Sequence, residues 1–273
     1  MSGINENTII VRGGGDLATG TIYKLYQCGF PVLILETENP SAIRRNVAFS
    51  EAVYQGSQTV EGVTCLLANS PDQARSYLEA GMLTMLIDPD GSCIDGFRPL
   101  AVVDAILAKK NLGTHRGMAP ITVALGPGFT AGVDVDAVVE TKRGHNLGKV
   151  LYSGTAAPNT GVPGIIGGYG KERVIHSPAA GILRNVAKIT DTVEEGQTIA
   201  VVETQTGEVP VQATLTGLLR GLIRDGYPVT KGFKIADIDP RTEEYDNCFT
   251  ISDKARCIAG GVLEAILHLK GKI

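Results

Sequence analysis

A β-branched apolar run, Thr8-Ile9-Ile10-Val11, passes through Arg12 into three consecutive glycines, Gly13-Gly14-Gly15, and on into Asp16-Leu17-Ala18-Thr19-Gly20. Ile22, Leu25 and Tyr26 follow at helical spacing, and a second apolar run, Val32-Leu33-Ile34-Leu35, ends on Glu36. Strand, glycine turn, helix, strand, acidic residue is the layout of a dinucleotide-binding βαβ unit. A tight strand-to-helix turn needs residues that tolerate φ > 0. Absent side chains let the backbone approach a phosphate, and the first N–H groups of the helix, lacking internal partners, point at it. On this reading Gly13, Gly14, Gly15, Asp16, Leu17 and Ala18 hold a phosphate, and Glu36 accepts hydrogen bonds from ribose hydroxyls. A carboxylate at 36 repels a 2′-phosphate, which favours NAD over NADP. Ala18 stands where the third glycine of the fingerprint usually stands, and Asp16 brings a carboxylate beside the expected pyrophosphate. The alternative is a doubly wound domain whose turn binds another ligand, or none.

The 273 residues suffice for one large domain or two smaller ones. A net charge of −4 argues against non-specific nucleic-acid binding. The N-terminal Met-Ser-Gly-Ile-Asn-Glu-Asn has neither a basic n-region nor an apolar h-region, so no signal peptide is expected, and no apolar run is long enough for a membrane span. The five cysteines (28, 65, 93, 248, 257) are odd in number, dispersed and without C-x-x-C spacing. That pattern predicts reduced thiols in a cytoplasmic protein, with neither a disulfide framework nor a bound metal.

Along the chain, Asn39 to Arg45 reads as a short helix in which Arg44 and Arg45 can meet an anion. Pieces around 54–56 and 63–67 read as β-rich, with Glu51 between the arginines and the first of them. Pro71 to Gly81 reads as a helix, Leu83 to Asp88 as a strand, Pro99 to Asn111 as a second helix and Ile121 to Leu125 as a further strand. Gly126-Pro127-Gly128-Phe129-Thr130 forms a turn after it, and Val133 to Thr141 reads as strand. Alternating strands and helices predict a Rossmann-like parallel sheet in residues 1–150, an α/β fold. Ligands bind beyond the carboxyl ends of such strands, so Asp88, Gly126, Gly128 and Phe129 join the glycine turn as candidate binding residues. His145, in the basic loop Lys142 to Asn146, is a candidate acid or base. Residues 151–172 lack periodicity and read as a linker.

Residues 181–203 and 217–239 align without a gap at an offset of 36, with Gly181/Gly217, Leu183/Leu219, Arg184/Arg220, Val193/Val229, Gly196/Gly232, Ile199/Ile235 and Ala200/Ala236 identical. Two β-rich halves related by a pseudo-dyad resemble the biotinyl/lipoyl barrel-sandwich, and residues 173–245 are expected to form such a domain. Carrier versions bear a lysine at the hairpin between the halves. Glu203 to Ala213 has none, so no covalent biotin or lipoate is expected and the domain reads as a scaffold. In 246–273, Ser252 caps a helix running to about Leu269, and Gly260-Gly261 costs it roughly 1 kcal/mol each unless another backbone packs there. This helix is expected to return onto the first domain. Cys248 is a candidate reactive thiol, and Asp16 and Lys254 are candidate proton-transfer groups.

Arg12-Gly-Gly-Gly-Asp16-Leu-Ala-Thr-Gly20, Phe49-Ser-Glu-Ala-Val-Tyr54, Gly126-Pro-Gly-Phe-Thr-Ala-Gly-Val-Asp134, Arg143-Gly-His145, Asn159-Thr-Gly161, Leu219 to Gly226, Asp237-Ile-Asp-Pro-Arg241 and Ile251-Ser-Asp-Lys254 together resemble the selenium-dependent molybdenum hydroxylase accessory-protein family over nearly the full length. The first domain is also similar in plan to the xanthine dehydrogenase maturation factors. The resemblance implies a cytoplasmic maturation protein that binds a nucleotide or molybdopterin dinucleotide at Gly13 to Ala18 and serves a molybdenum hydroxylase apoenzyme as partner. An NAD-dependent oxidoreductase using the same cleft and a non-catalytic assembly scaffold are the competing readings. Neither nucleic acid nor membrane is an expected partner, and a homo-oligomer is compatible with the repeat.

Overall fold

In the computed structural model, residues 7–159, 161 and 164–272 are described. The N-terminal reading over 1–6 and positions 160, 162 and 163 of the linker and of the Asn159-Thr-Gly161 motif lie outside them. The chain divides into two units: Met1–Pro40, Ala48–Asn159 and Ile251–Ile273 form unit 1, and Ser41–Val47 with Thr160–Thr250 form unit 2.

Unit 1 begins with β1 (Ile9–Arg12), α1 (Asp16–Gln27) and β2 (Val32–Glu36), then α2 (Ala52–Gln55), β3 (Ser57–Val60), β4 (Val63–Ala68), α3 (Pro71–Glu79) and β5 (Leu83–Ile87). It continues through α4 (Ile94–Phe97), β6 (Ala101–Asp104), β7 (Ile121–Leu125), β8 (Thr130–Ala131), β9 (Ala137–Val139), β10 (Val150–Leu151) and β11 (Gly154–Thr155), and α5 (Asp253–Lys270) rejoins it. Nine strands make one sheet in the order β10-β9-β7-β6-β1-β2-β5-β4-β3. β1 lies between β2 and β6, with Ile9 opposite both Val32 and Ala101. Ile9, Ile10 and Val11 are wholly buried, so this strand carries apolar side chains on both faces, as a central parallel strand must. On α1, Ile22 and Leu25 face the interior, each burial worth roughly 1.5–3 kcal/mol. Ser70 caps α3 by accepting the Gln73 N–H, with Pro71 in the first turn.

The expected Rossmann-like parallel sheet with a barrel-sandwich domain of biotinyl/lipoyl type is corrected. The large sheet is mixed: β3 is antiparallel to β4, and β10 to β9. The β3–β4 hairpin turns on Glu61 and Gly62, both at positive φ, as a two-residue turn requires. The helix expected over 99–111 is also corrected. Ala101–Asp104 is a fully buried strand, because a short β-branched run buried on both faces satisfies the parallel sheet beside β1, where an amphipathic helix would leave it half exposed. The β-rich expectation around 54–56 gives way to α2, closed by Gly56 in the left-handed region.

α5 packs on α1 within unit 1. Gly20 lacks the Cβ that would stand 2.8 Å from the Ala255 carbonyl oxygen, so the two helices approach closely. Gly261 likewise lies against the Gly148 backbone, while no neighbour crowds Gly260.

Unit 2 holds β12 (Val174–His176), β13 (Gly181–Asn185), β14 (Thr192–Val193), β15 (Thr198–Thr204), β16 (Gly207–Gln212), β17 (Gly217–Leu222), β18 (Pro228–Val229) and β19 (Lys234–Asp239). These form two four-stranded antiparallel sheets, β12-β19-β17-β14 and β16-β15-β13-β18. The halves exchange strands: β14 of the first pairs with β17, and β18 of the second pairs with β13. Leu183, Val193, Ile199, Leu219, Ile235 and Ile238 build one buried core from both halves. Each half therefore depends on the other for its hydrogen bonds and for its apolar cover.

Candidate functional site

The glycine turn links β1 to α1, and its three glycines have different reasons to be glycine. Gly13 has φ +95°, and a Cβ there would lie 3.0 Å from the Ala105 carbonyl oxygen and the Ile106 Cα. Gly14 is packed against Met85 Cε and the Ser50 nitrogen, at 3.0 and 3.1 Å from where a Cβ would stand. Gly15 is the N-cap of α1 with φ −65°, and no side chain caps the helix there. No atom lies within 4 Å of a Cβ placed on Gly15. Gly15, Asp16 and Leu17 are half-buried, whereas Ala18 is fully buried.

Glu36 closes under this turn. Its Oε2 accepts the Gly14 N–H at 2.8 Å and its Oε1 accepts the Thr37 N–H at 2.8 Å. Burial raises the Glu36 pKa above the ordinary carboxylate value, against the lowering effect of those two amides. Both oxygens are thus engaged by backbone, and the carboxylate positions the turn.

Behind the turn lies a network invisible as a motif. Arg12, 2% exposed, donates from Nη1 to Thr114 Oγ1 at 2.5 Å and from Nη2 to the Pro89 carbonyl at 2.9 Å. Thr114 Oγ1 in turn donates to Asp104 Oδ2 at 2.6 Å. Burial raises the Asp104 pKa, while the Thr114 and Ile106 hydrogen bonds and the Arg12 charge oppose it. A buried carboxylate at the end of an apolar strand and an arginine at the end of its neighbour are the signals that could have found this pair. The loop running from Asp104 to Thr114 carries Leu107 and Lys109 at φ +59° and +62°, strained values for side chains of that kind.

The other side of the turn is built by α5 and the segment after β9. Lys254 is half-buried, and burial and the nearby Arg143 lower its pKa, opposed by Asp16, Glu140 and Asp253. Glu140 is buried and accepts the Lys142 and Ala157 N–H groups, both at 2.7 Å. Arg143 clasps Asp253 with two hydrogen bonds, 2.8 and 3.0 Å. Gly126 has φ +75° and packs on Thr141, and Gly128, at φ +113°, packs on the backbone of Lys110. Asp16 and Lys254 are therefore electrostatic neighbours, an arrangement that offsets the carboxylate beside the turn. Glu140, Arg143 and Asp253 were not among the candidates from sequence.

The remaining candidates have structural explanations. Asp88 accepts from the Ser92 N–H and hydroxyl and from the Cys93 N–H. Burial raises its pKa, and the hydrogen bonds from Cys93 and Ser92 outweigh that and lower it overall. Phe129 belongs to a small buried cluster with Ala124, Val135 and Val138. His145 is exposed in its loop. Arg44 and Cys248 lie in unit 2: Arg44 donates to the Asn247 and Thr250 carbonyls, and Cys248 is buried, which raises its thiol pKa. A buried thiol with a raised pKa is a poor nucleophile. Among the described residues, no group of three or more His, Cys, Asp or Glu is placed to hold a metal ion, and no helix is long and apolar enough to cross a membrane.

No protein-family model matches the chain. The sequence is 55% identical over 262 residues to a protein of Escherichia coli (strain K12) described as Uncharacterized protein YqeB. That match takes in 96% of this chain and 47% of the relative, so the chain spans about half the length of the curated relative it matches. Among solved structures, the chain is similar to the product-bound ectoine utilization protein EutE (DoeB) from Ruegeria pomeroyi, with TM-score 0.24 and 13% identity over 84% of this chain and 56% of that one. It is similar also to a succinylglutamate desuccinylase/aspartoacylase from Rhodobacter sphaeroides, with TM-score 0.26 and 12% identity over 85% of each chain. Likenesses of this size carry no argument about chemistry. These solved structures are described as ectoine-utilization and desuccinylase/aspartoacylase proteins, and the curated relative as uncharacterized. The expected membership of the selenium-dependent molybdenum hydroxylase accessory family is corrected on these findings. The hydroxylase partner and the molybdenum and selenium chemistry are corrected with it, and the oxidoreductase and scaffold alternatives gain no support in its place.

Proposed function

We propose that unit 1 binds a phosphate-bearing small molecule at the first turn of α1, with Lys254 as the neighbouring cation. The observation that carries this reading is Gly15. Neither a left-handed φ nor any neighbour requires glycine there, and a side chain at that position would stand in the approach to the uncapped first turn of a twelve-residue helix. Helix N-termini attract anions through their N–H groups and the helix dipole. Lys254 balances Asp16, so the carboxylate does not by itself repel the ligand. Strain at Leu107 and Lys109, in the loop that packs on Gly13, accords with a binding site. Glu36 holds the turn through one amide on each oxygen, and the reading assigns it no ligand contact. The five free cysteines accord with a cytoplasmic location.

Calorimetry with inorganic pyrophosphate, ADP and NAD, in buffers of matched ionic strength, tests the reading. The expected result is binding by at least one probe that Gly15→Val abolishes. Absence of binding by all three at millimolar concentration, or equal binding by Gly15→Val, contradicts it.

A further inference from the structure

We infer that residues 105–112 are a lid over the turns that follow β1 and β7, held unwound in this structure and opening by winding into a short helix. The lid is a property of the chain and does not depend on which ligand unit 1 takes. The segment Ala105-Ile-Leu-Ala-Lys-Lys-Asn-Leu112 lies between Asp104 and Gly113. Apart from Ile106 and Asn111 these are good helix formers, and Lys109 and Lys110 fall toward the C-terminal end, where cations complement a helix dipole. The caps are already in place. Asp104 Oδ1 accepts the Ile106 N–H at 3.2 Å, the bond that an N-cap carboxylate makes two residues on. Gly113 has φ +95°, in the left-handed region that closes helices. Yet residues 105–112 form neither helix nor strand, and Leu107 and Lys109 stand at φ +59° and +62°. Two side chains in the left-handed region, within a segment whose caps and composition favour the right-handed one, are a local preference overruled from outside.

Three contacts overrule it. The Ala105 carbonyl oxygen and the Ile106 Cα lie 3.0 Å from where a Cβ on Gly13 would stand, and the Lys110 nitrogen and Cα lie 2.8 Å from where one on Gly128 would stand. The segment is thus pressed on the turn after β1 and on the turn after β7. Ligands of open α/β sheets bind outside the carboxyl ends of the strands, the place these turns occupy. The third contact is a latch at the far end. Thr114 Oγ1 donates to Asp104 Oδ2 at 2.6 Å, and Arg12 donates to Thr114 Oγ1 and to the Leu112 carbonyl. Asn111 sets the turn that delivers Thr114, its Oδ1 accepting the Gly113 and Thr114 N–H groups at 2.8 Å each. A helix over residues 105–112 is about 12 Å long. Winding therefore draws Leu112 and Thr114 away from Arg12 and Asp104, and lifts the backbone of Lys109 and Lys110 off Gly128. Strain of this kind gathers at switch segments, where it destabilises the state that must be left.

The test uses the full chain without ligand and follows the backbone of 105–112 by NMR relaxation dispersion, which reads a minor state exchanging in microseconds to milliseconds. The expected minor state has helical Cα shifts from Leu107 to Lys110. Lys109→Gly suits the left-handed φ and disfavours the helix, and is expected to lower the minor population at least about tenfold, abolishing the dispersion. Asn111→Ala removes the turn bonds and favours the helix, and is expected to raise that population about tenfold, so that helical shifts become directly visible. Helical shifts seen only in Asn111→Ala also support the lid. A loop that is merely strained would loosen instead of winding. Random-coil or other non-helical shifts in the minor state or in Asn111→Ala overturn the inference, as does a wild type without dispersion together with unchanged shifts in Asn111→Ala. Thermal melts confirm that both variants fold.

Discussion

Glu36 Oε2 accepts the Gly14 N–H at 2.8 Å, so the acidic residue at the end of β2 fastens the middle of the glycine turn. The same carboxylate accepts the Thr37 N–H through its other oxygen. One side chain thus spans from the end of one strand to the turn that follows its neighbour, so a position that fits ribose binding by spacing also fastens the turn.

This contact predicts a pH dependence. Burial raises the folded-state pKa of Glu36 above 4.5, so from pH 4.5 upward to the folded value the folded chain keeps a proton that the unfolded chain has lost. In that window Glu36 makes stability fall as pH rises. Glu36→Gln is expected to flatten this acid-side slope in urea titrations run at a series of pH values. An unchanged slope would show that Glu36 ionises in the folded protein as it does in the unfolded one.

The turn predicts a contrast between two glycine substitutions. Gly13→Ala places a Cβ at φ +95° and 3.0 Å from the Ala105 carbonyl oxygen, and is expected to cost at least about 1–2 kcal/mol. Gly15→Ala meets open space at an ordinary φ and is expected to cost less, about 0.5 kcal/mol, for the poorer N-cap. Denaturation of the two variants side by side checks the pair, and equal losses would contradict the distinct roles given to the two glycines.

Thr114 links two buried charges. Replacing it by Val removes a donor to Asp104 and an acceptor from Arg12, and is expected to cost about 2–4 kcal/mol. Thr114→Ser keeps the hydroxyl and is expected to cost about 1 kcal/mol or less. A Val variant as stable as Ser, measured by chemical denaturation, would show that the hydroxyl bridge does not hold the charges.

Lys254 should separate binding from stability. Its lowered pKa means that the folded chain holds the charged amine at a disadvantage until pH rises through the folded value toward 10.5. Lys254→Met is therefore expected to leave stability at neutral pH equal or higher, while weakening pyrophosphate binding about tenfold. Loss of stability together with unchanged binding would make Lys254 a structural residue.

Local chemistry was legible where one segment carried its own signal. Pro71 announces α3, Ser252 announces α5, and the apolar runs of β1 and β2 flank the glycine turn. The Ala101–Asp104 strand is ambiguous in sequence because Val102, Val103, Ile106 and Leu107 also satisfy a helical period, and only the place beside β1 decides between the two. The parallel-sheet expectation missed β3 and β10, since short edge strands bury little and so leave little pattern. Arg12 and Asp104 end apolar strands and are visible as charges there, but their meeting through the distant Thr114 is not. Glu36 shows the opposite limit: spacing located the carboxylate but could not say whether its oxygens face a ligand or the chain's own amides.

The central claim, a phosphate at the first turn of α1, is tested most directly by following backbone amides in an NMR titration of the full chain with pyrophosphate. The account predicts saturable shifts of the Gly15, Asp16 and Leu17 amides, with Gly181 and Gly217 of unit 2 unmoved. No shift at the α1 turn at millimolar pyrophosphate, or shifts confined to unit 2, would contradict it.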